Sequence, residues 1–526
     1  MRFSAAKVKL PSLINSLLAI LSAILLTLAF PDFDLWFLAW FALVPLFYAI
    51  EREKKSVVKS FVLGWIFGTC FFFSSCWWLT FAPITYGGVP AIISYLLLFG
   101  VTLVVGLFPT IFSAIFSLSL KQFGSYAIFA APFLWVAIEF LRFNLTGNNW
   151  NAIGYSQAFV PFFIQTAKIG GVYLLGFLIV VFNSVITVSV IGIVNKEKPK
   201  PTIAVLIIFT SLLILLLPLF SQWLTSQNSY SYKTASVIAV QPNVPMSGVK
   251  YEDWIKLRER HVRLAENALQ KLENKGQRRN DEEQTIVIFP ESPMNFMYEQ
   301  DRDFQMFIKD FAMKNNAYVL FNAAEPNTIS DNFYNSAVMI NPKGEKIAQY
   351  DKIHLVPFGE YVPAPEPLAQ FVPTMVGNFQ YGDEYDLLPF GEAKGGVMIC
   401  FESHFPSLSR EFVRNGADVL IEMTNDGYLG ETPVLRQHLA NAVFRAVETN
   451  RPVLRVTNVG ITTYINERGE VLDAADVYTE ATRVWTVSKS DGKQTFYVRY
   501  GEWFAWLCSI TTLGLLFWSF RKRFAP

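Results

Sequence analysis

A chain of 526 residues that is 52% hydrophobic, 16% aromatic and only 17% charged is too apolar for an ordinary soluble protein, so membrane spans are expected before any is located. A formal net charge of +1 gives no reason to expect nucleic acid as a partner. Four cysteines without a CxxC pair, and four histidines far apart in sequence, argue against a structural zinc site and imply no metal or other cofactor.

Residues 13–30 carry no charge over a length that suffices to cross a bilayer. Arg2, Lys7 and Lys9 precede them, but the apolar core is too long for a signal peptide and no small-x-small cleavage site stands out. We read the stretch as a retained helix. Further spans are expected at 35–50, 57–81, 89–120, 126–141, 169–194, 203–220 and 503–520, about eight in all. The third and fourth are over-long and can tilt. Basic residues set the orientation. Arg52, Lys54, Lys55 and Lys59, then Lys121, then Lys196, Lys198 and Lys200, and finally Arg521, Lys522 and Arg523 all fall on one side. The positive-inside rule makes that side, with both termini, cytoplasmic. The expected domains are a transmembrane region of about seven helices over 1–221, an extracytoplasmic domain over 222–501, and a C-terminal helix with its tail over 502–526.

Glu139 and Arg142 lie one helical turn apart near the outer end of the fifth span, before the loop FNLTGNNWNAIGYSQ. Two readings stand side by side: an interfacial anchor with a snorkelling arginine, or a polar vestibule that meets a lipid headgroup.

Beyond residue 222 the pattern changes. Strand-like runs (SVIAVQPNV, TIVIFPES, AYVLFNAAE, SAVMINP, GGVMICFES, DVLIEMTND, PVLRVTNVG, TTYINERGE, RVWTVS) alternate with amphipathic stretches at 253–272, 302–314, 406–415 and 433–449. This predicts a layered α/β domain. Within it, GGVMICFESHF runs from an apolar strand into a polar cluster, which is how a buried strand delivers a reactive group to its carboxyl end. Cys400 is the only cysteine of this region, so outside the cytoplasm it is either a buried inert residue or a nucleophile.

TIVIFPES ends at Glu291, YDKIHLVPFGEYVP carries Lys352, and GGVMICFES delivers Cys400. A carboxylate, an ammonium and a thiol are the groups that acyl transfer through a thioester needs: a base for the thiol proton, a nucleophile, and a cation for the thiolate and oxyanion.

These segments resemble the nitrilase superfamily, whose members use a Glu-Lys-Cys triad on an αββα sandwich. The likeness is closer still to the apolipoprotein N-acyltransferase family of integral membrane enzymes. It rests on FPES, on HLVPFGEYVP after Tyr350 and Lys352, on CFES, on TNDGYLG and on RAVETNRPVLRVTNVGIT. The N-terminal spans and the NNWNAIGYSQ loop extend it over essentially the whole chain. The resemblance implies Glu291 as general base, Lys352 as oxyanion and thiolate stabiliser, and Cys400 as nucleophile. It also implies supporting roles for Glu360, Glu402 and Phe401, and substrate or lipid contacts at Trp150, Tyr361, Asn425 and Tyr428. Phe401, Tyr428 and Leu429 depart from the family's usual tyrosine, tryptophan and phenylalanine. The family's tryptophan after the first strand of the outer domain has no clean counterpart here, Tyr251 being nearest in register and Trp254 in type.

The implied reaction has two steps. An acyl chain passes from a phospholipid, typically phosphatidylethanolamine, to Cys400, and the thioester then acylates the α-amino group of a diacylglyceryl-cysteine at a lipoprotein N-terminus. The implied location is a bacterial inner membrane with the catalytic domain periplasmic. The stretch 364–385, with three prolines and Phe371, Met375, Val376 and Phe379, is expected to be a mobile lid or an ordinary surface loop. A membrane-tethered amidase, a scaffold with a degenerate triad, and a Cys-His pair using His404 or His354 are the competing readings.

Overall fold

The computed structural model describes residues 10–196, 201–225, 233–248, 250–274, 284–291, 296–327, 332–362 and 379–524. Residues 363–378, which hold most of the expected lid including Phe371, Met375 and Val376, lie outside them, as do Arg2, Lys7, Lys9, Lys198 and Lys200. The chain forms two compact units, Met1–Leu224 with Tyr500–Pro526, and Thr225–Arg499.

The first unit is helical. Stretches long and apolar enough to cross a membrane are Val57–Ser75, Ala91–Thr146, Ala167–Val194 and Ala204–Leu224, with shorter apolar helices at Leu13–Leu28 and Trp503–Trp518. Several expected spans are broken where the sequence has a physical reason to break. Residues 35–50 divide into a 3₁₀ turn Trp36–Trp40 and a helix Val44–Glu53, because Pro45 suits a first turn and not a helix interior. In residues 57–81 the α-helix ends at Ser75 and a 3₁₀ turn Trp77–Thr80 follows; there the Ser74 hydroxyl donates to the carbonyls of Cys70 and Phe71 and competes with the ladder. Residues 89–120 divide at Gly106, a position without a side chain that helix Val57–Ser75 approaches closely: a Cβ on Gly68 would sit 2.9 Å from the Gly106 Cα. Helix Ala167–Val194 bends at Gly170 and Gly171, the latter at φ +63°, a conformation open to glycine.

The second unit is a nitrilase-like αββα sandwich. Its strands are β1 (Lys233–Gln241), β2 (Gln284–Ile288), β3 (Tyr318–Pro326), β4 (Phe333–Ile340), β5 (Lys346–Asp351), β6 (Phe379–Gln380), β7 (Leu387–Phe390), β8 (Ala393–Ile399), β9 (Val419–Thr424), β10 (Val453–Thr457), β11 (Thr463–Ile465), β12 (Val471–Leu472) and β13 (Ala481–Ser488). One sheet runs β13-β1-β2-β3-β4-β5, with β6 also on β4; the other runs β12-β11-β10-β9-β8-β7. In each, the central strands β1–β3 and β8–β10 are parallel and the flanking strands antiparallel. Helices Tyr251–Asn274 and Arg302–Asn315 cover the first sheet, and Pro406–Arg414 and Val434–Thr449 the second.

Alternation along the strands explains the four layers. Ile238, Val240, Val287, Val319, Phe321, Val338 and Ile340 pack with Ala265, Leu269, Phe304, Ile308 and Phe311 of the covering helices. The intervening Val237, Ala239, Ile286, Leu320, Ala337 and Met339 are equally buried and face the other sheet. Strands buried on both faces read as continuous apolar runs, which is the pattern of the central strands such as β9 and β10.

Candidate active site

Cys400 follows β8 directly and opens a 3₁₀ turn, Cys400–His404. Its backbone stands at φ +54°, in the left-handed region that a non-glycine residue occupies only when its surroundings compel it. The compulsion is visible in Glu402. Fully buried, its carboxylate accepts from the Ile399 N–H at 2.8 Å through Oε2. Through Oε1 it accepts from the Tyr350 hydroxyl at 2.8 Å and from the N–H groups of Ile353 and His354 at 2.7 and 2.9 Å. The turn bearing the thiol is thus tied to the segment bearing the amine, across the two sheets. Burial raises the Glu402 carboxyl to about 7 despite the Lys352 charge and these donors.

Lys352 leaves the end of β5 fully buried. Its Nζ lies 2.9 Å from Glu360 Oε1 and 3.8 Å from Glu291 Oε1. Burial pulls the ammonium down, but the charges of Glu360 and Glu291 outweigh it and hold the pKa above its ordinary value. Glu360 is fixed in turn by the Val356 N–H at 2.8 Å on its other oxygen.

Glu291 stands just past β2 and Pro290, where its two oxygens accept from Asn335 Nδ2 at 3.1 Å and from the Asn425 N–H at 3.2 Å. Burial raises its carboxyl above the ordinary range, with the Lys352 charge and the nearby Cys400 thiol opposing. Burial and the Glu291 charge together push that thiol well above its ordinary value, Lys352 opposing. The resting sulfur therefore carries its proton beside a carboxylate that can take it.

The structure brings Glu291, Lys352, Cys400, Glu360 and Glu402 together, and adds Asn425 through its backbone. Phe401 is half-buried, stacked on His404 at 5.2 Å between centroids and edge-on to Phe405 at 5.3 Å. Tyr361 is half-buried against Tyr381, and Tyr428 half-buried in the turn Asp426–Leu429. Trp150 belongs to the helical unit. It is buried there, packed on Trp78 at 5.5 Å, and its carbonyl accepts from Arg142 at 2.9 Å. Arg142 and Glu139 are themselves buried, Glu139 accepting from the Ile153 N–H at 2.9 Å. This pair therefore pins the loop to its helix rather than reaching outward as a snorkelling anchor.

His354 stacks on Phe405 at 3.9 Å, and burial lowers it to about 4. The imidazole next to the nucleophile is a different one. His438 Nε2 lies 3.1 Å from the Cys400 carbonyl oxygen and 3.1 Å from Glu422 Oε1, while its Nδ1 lies 2.8 Å from Asp426 Oδ1. Arg455 closes the cluster on Glu422 and, at 2.7 Å, on Asp426. Sequence reasoning missed these four residues and Asn335, whose Nδ2 also donates to Glu360 at 2.6 Å. The available signal was a charged residue inside each of two apolar strands, Glu422 in VLIEMT and Arg455 in VLRVT.

Sequence comparison relates both units to known families. Residues 22–185 match the family described as apolipoprotein N-acyltransferase N-terminal domain, and residues 219–497 match carbon-nitrogen hydrolase. An apolipoprotein N-acyltransferase of Geobacter metallireducens is 32% identical over 513 residues, 96% of this chain and 95% of the relative. One from Thermotoga maritima is 28% identical over 96% of this chain and 94% of its own length. Among solved structures, Saccharomyces cerevisiae Nit3, of the nitrilase superfamily, is similar with a TM-score of 0.37 and 18% identity, covering 49% of this chain and 93% of its own.

Proposed function

The chain belongs to the apolipoprotein N-acyltransferase family and is an acyltransferase of the membrane, and from that premise we propose that it works through a thioester on Cys400. Glu291 takes the proton of the Cys400 thiol as the sulfur attacks the carbonyl carbon of a phospholipid ester. The oxyanion is stabilised by the Lys352 ammonium and a backbone N–H of the Cys400 turn. When the C–O bond breaks, Glu291 returns the proton to the leaving glycerol oxygen and a lysophospholipid departs. In the second step the α-amine of a diacylglyceryl-cysteine attacks the thioester, Glu291 accepts the amine proton, and as the C–S bond breaks that proton passes to the leaving Cys400 thiolate.

The observation that carries this reading is the convergence of Glu291 and Cys400 on a lysine already neutralised by Glu360. The chain's connectivity supports a lipid donor: the α/β unit is inserted between apolar helices Pro201–Thr225 and Trp503–Phe524, so it is anchored at both ends and meets lipid-borne substrates at high effective concentration. A dry site suits the chemistry, because water would otherwise hydrolyse the thioester. The basic loops support a catalytic unit on the face opposite the cytoplasm, and the proposed location is the periplasmic face of a bacterial inner membrane with both termini cytoplasmic. The domains proposed are 1–221, 222–501 and 502–526. Trp150, Tyr361, Asn425 and Tyr428 are proposed as contacts to the two substrates, and Phe401, with Glu360 and Glu402, as a supporting residue of the site. Phosphatidylethanolamine is the proposed donor.

Incubating the purified protein with labelled phosphatidylethanolamine alone tests the proposal. Mass spectrometry should find one acyl group on the Cys400 peptide and an equivalent of lysolipid. Release of free fatty acid with no adduct would instead indicate a hydrolase.

A further inference from the structure

Beneath the nucleophile lies a buried cluster of two carboxylates and two cations that the triad chemistry does not use. Glu422 comes from β9, Asp426 from the turn after it, Arg455 from β10, and His438 from helix Val434–Thr449. All four are within 5% of full burial. We infer that His438 is a positioning residue: wedged between Glu422 and Asp426, it donates to the Cys400 carbonyl and so fixes and polarises the Cys400–Phe401 peptide on which the nucleophile turns. The inference rests on the reading of Cys400 as nucleophile.

Two observations support it. The carbonyl that His438 holds belongs to Cys400, the residue at φ +54°, a conformation that needs an external contact to persist. The imidazole also carries a charge. Burial and the Arg455 guanidinium press it toward neutrality, but Glu422, Asp426 and the hydrogen bond to Asp426 outweigh them and lift it to about 9. A charged donor on the carbonyl draws electrons through the amide, so the Phe401 N–H of the same peptide becomes a stronger donor, and this is the turn N–H that the proposed mechanism would use on the oxyanion. Several other charges near this helix have partners of their own. Arg445 pairs with Glu448 at 2.6 Å, and Arg410 and Arg414 contact Glu411. On the Cys400 turn, Glu402 is engaged by four donors and His404 is buried.

His438→Gln alone would leave the cluster with one surplus negative charge and can fail to fold for that reason. The double variant His438→Gln/Glu422→Gln keeps a neutral donor and leaves the Asp426–Arg455 pair balanced. The full-length protein in detergent is alkylated with iodoacetamide across pH, with the Cys400 peptide quantified by mass spectrometry. Acylation from phosphatidylethanolamine vesicles is measured in parallel. The double variant should melt within a few degrees of the wild type yet alkylate about tenfold more slowly at neutral pH, its profile displaced upward by about one pH unit. Acylation should fall at least as much, in kcat and not in KM. A folded double variant whose alkylation profile superimposes on the wild type overturns the inference. Should it not fold, Glu422→Gln decides: a lost alkylation rate above neutral pH supports the role, and an unchanged profile overturns it. Absence of an acyl adduct in the wild type would overturn the acyl-transfer reading, and the alkylation profile would still decide the role of His438.

Discussion

Lys352 meets Glu360 at 2.9 Å, nearer than the 3.8 Å that separates the same ammonium from Glu291. The buried cation thus has its own counter-ion, and Glu291 can serve the sulfur without also neutralising the amine. Glu360→Ala would drive the ammonium onto Glu291 and occupy the base. Breaking a buried pair in this way costs on the order of 3–5 kcal/mol. The acylation rate should fall by at least about a hundredfold while thiol titration still counts Cys400.

Glu291→Gln removes the base but keeps the shape. Its amide oxygen can still accept from Asn335 or Asn425, so the melting temperature should change little. Thioester formation should slow by roughly 10²–10⁴, the usual contribution of a positioned base. Rapid-quench labelling with phospholipid measures it, and a fast burst in this variant would remove Glu291 from its role.

Cys400→Ser and Cys400→Ala should form no acyl adduct and remain folded. At φ +54° a glycine is free of the steric penalty that a Cβ meets. Cys400→Gly should therefore be at least as stable as Cys400→Ala, by about 0.5–1 kcal/mol. Paired melting curves test this, and an alanine variant more stable than glycine would show that the turn is unstrained.

Glu402→Gln exchanges one acceptor oxygen for an NH₂ that must face a backbone donor. At least one of the Ile399, Ile353 and His354 N–H groups then loses its partner in a dry site, at about 1–3 kcal/mol. The variant should melt lower and acylate more slowly, with the two losses tracking each other across temperature.

His438 sets an alkaline limit on stability. Its folded-state value of about 9 lies above the ordinary 6.5, so its contribution is complete below pH 6.5 and is lost as pH rises through 9. The slope is at most about 1.4 kcal/mol per pH unit. The melting temperature of the wild type should decline over that window, and His438→Gln/Glu422→Gln should flatten the decline.

The residues that announced themselves in sequence were those at the ends of apolar runs. FPES, MICFES and the segment after QYDK place Glu291, Cys400 and Lys352 where strands stop, and the structure gathers them. The central runs became strands buried on both faces, whereas RVWTVS became β13, which is only partly buried at the sheet edge. β5 was not expected because KIAQYD is half-exposed at a sheet edge and lacks an apolar run. β7 contains a proline, and β6 and β12 are two residues each, too short to show a period. The cluster under Cys400 escaped for a different reason: Glu422, His438 and Arg455 are distant in sequence, and only the parallel pairing of β9 with β10 brings Glu422 opposite Arg455. Spans expected as single helices were broken by Pro45, Ser74 and Gly106, which a hydropathy window averages away.

The thiol belongs to one sheet and the amine to the other, and the Glu402 carboxylate is the buckle between them. Neither sheet alone carries a working set of groups. A nascent chain in which the two layers have yet to close is therefore chemically silent, and the sulfur is armed only once the sandwich that keeps water from it has shut.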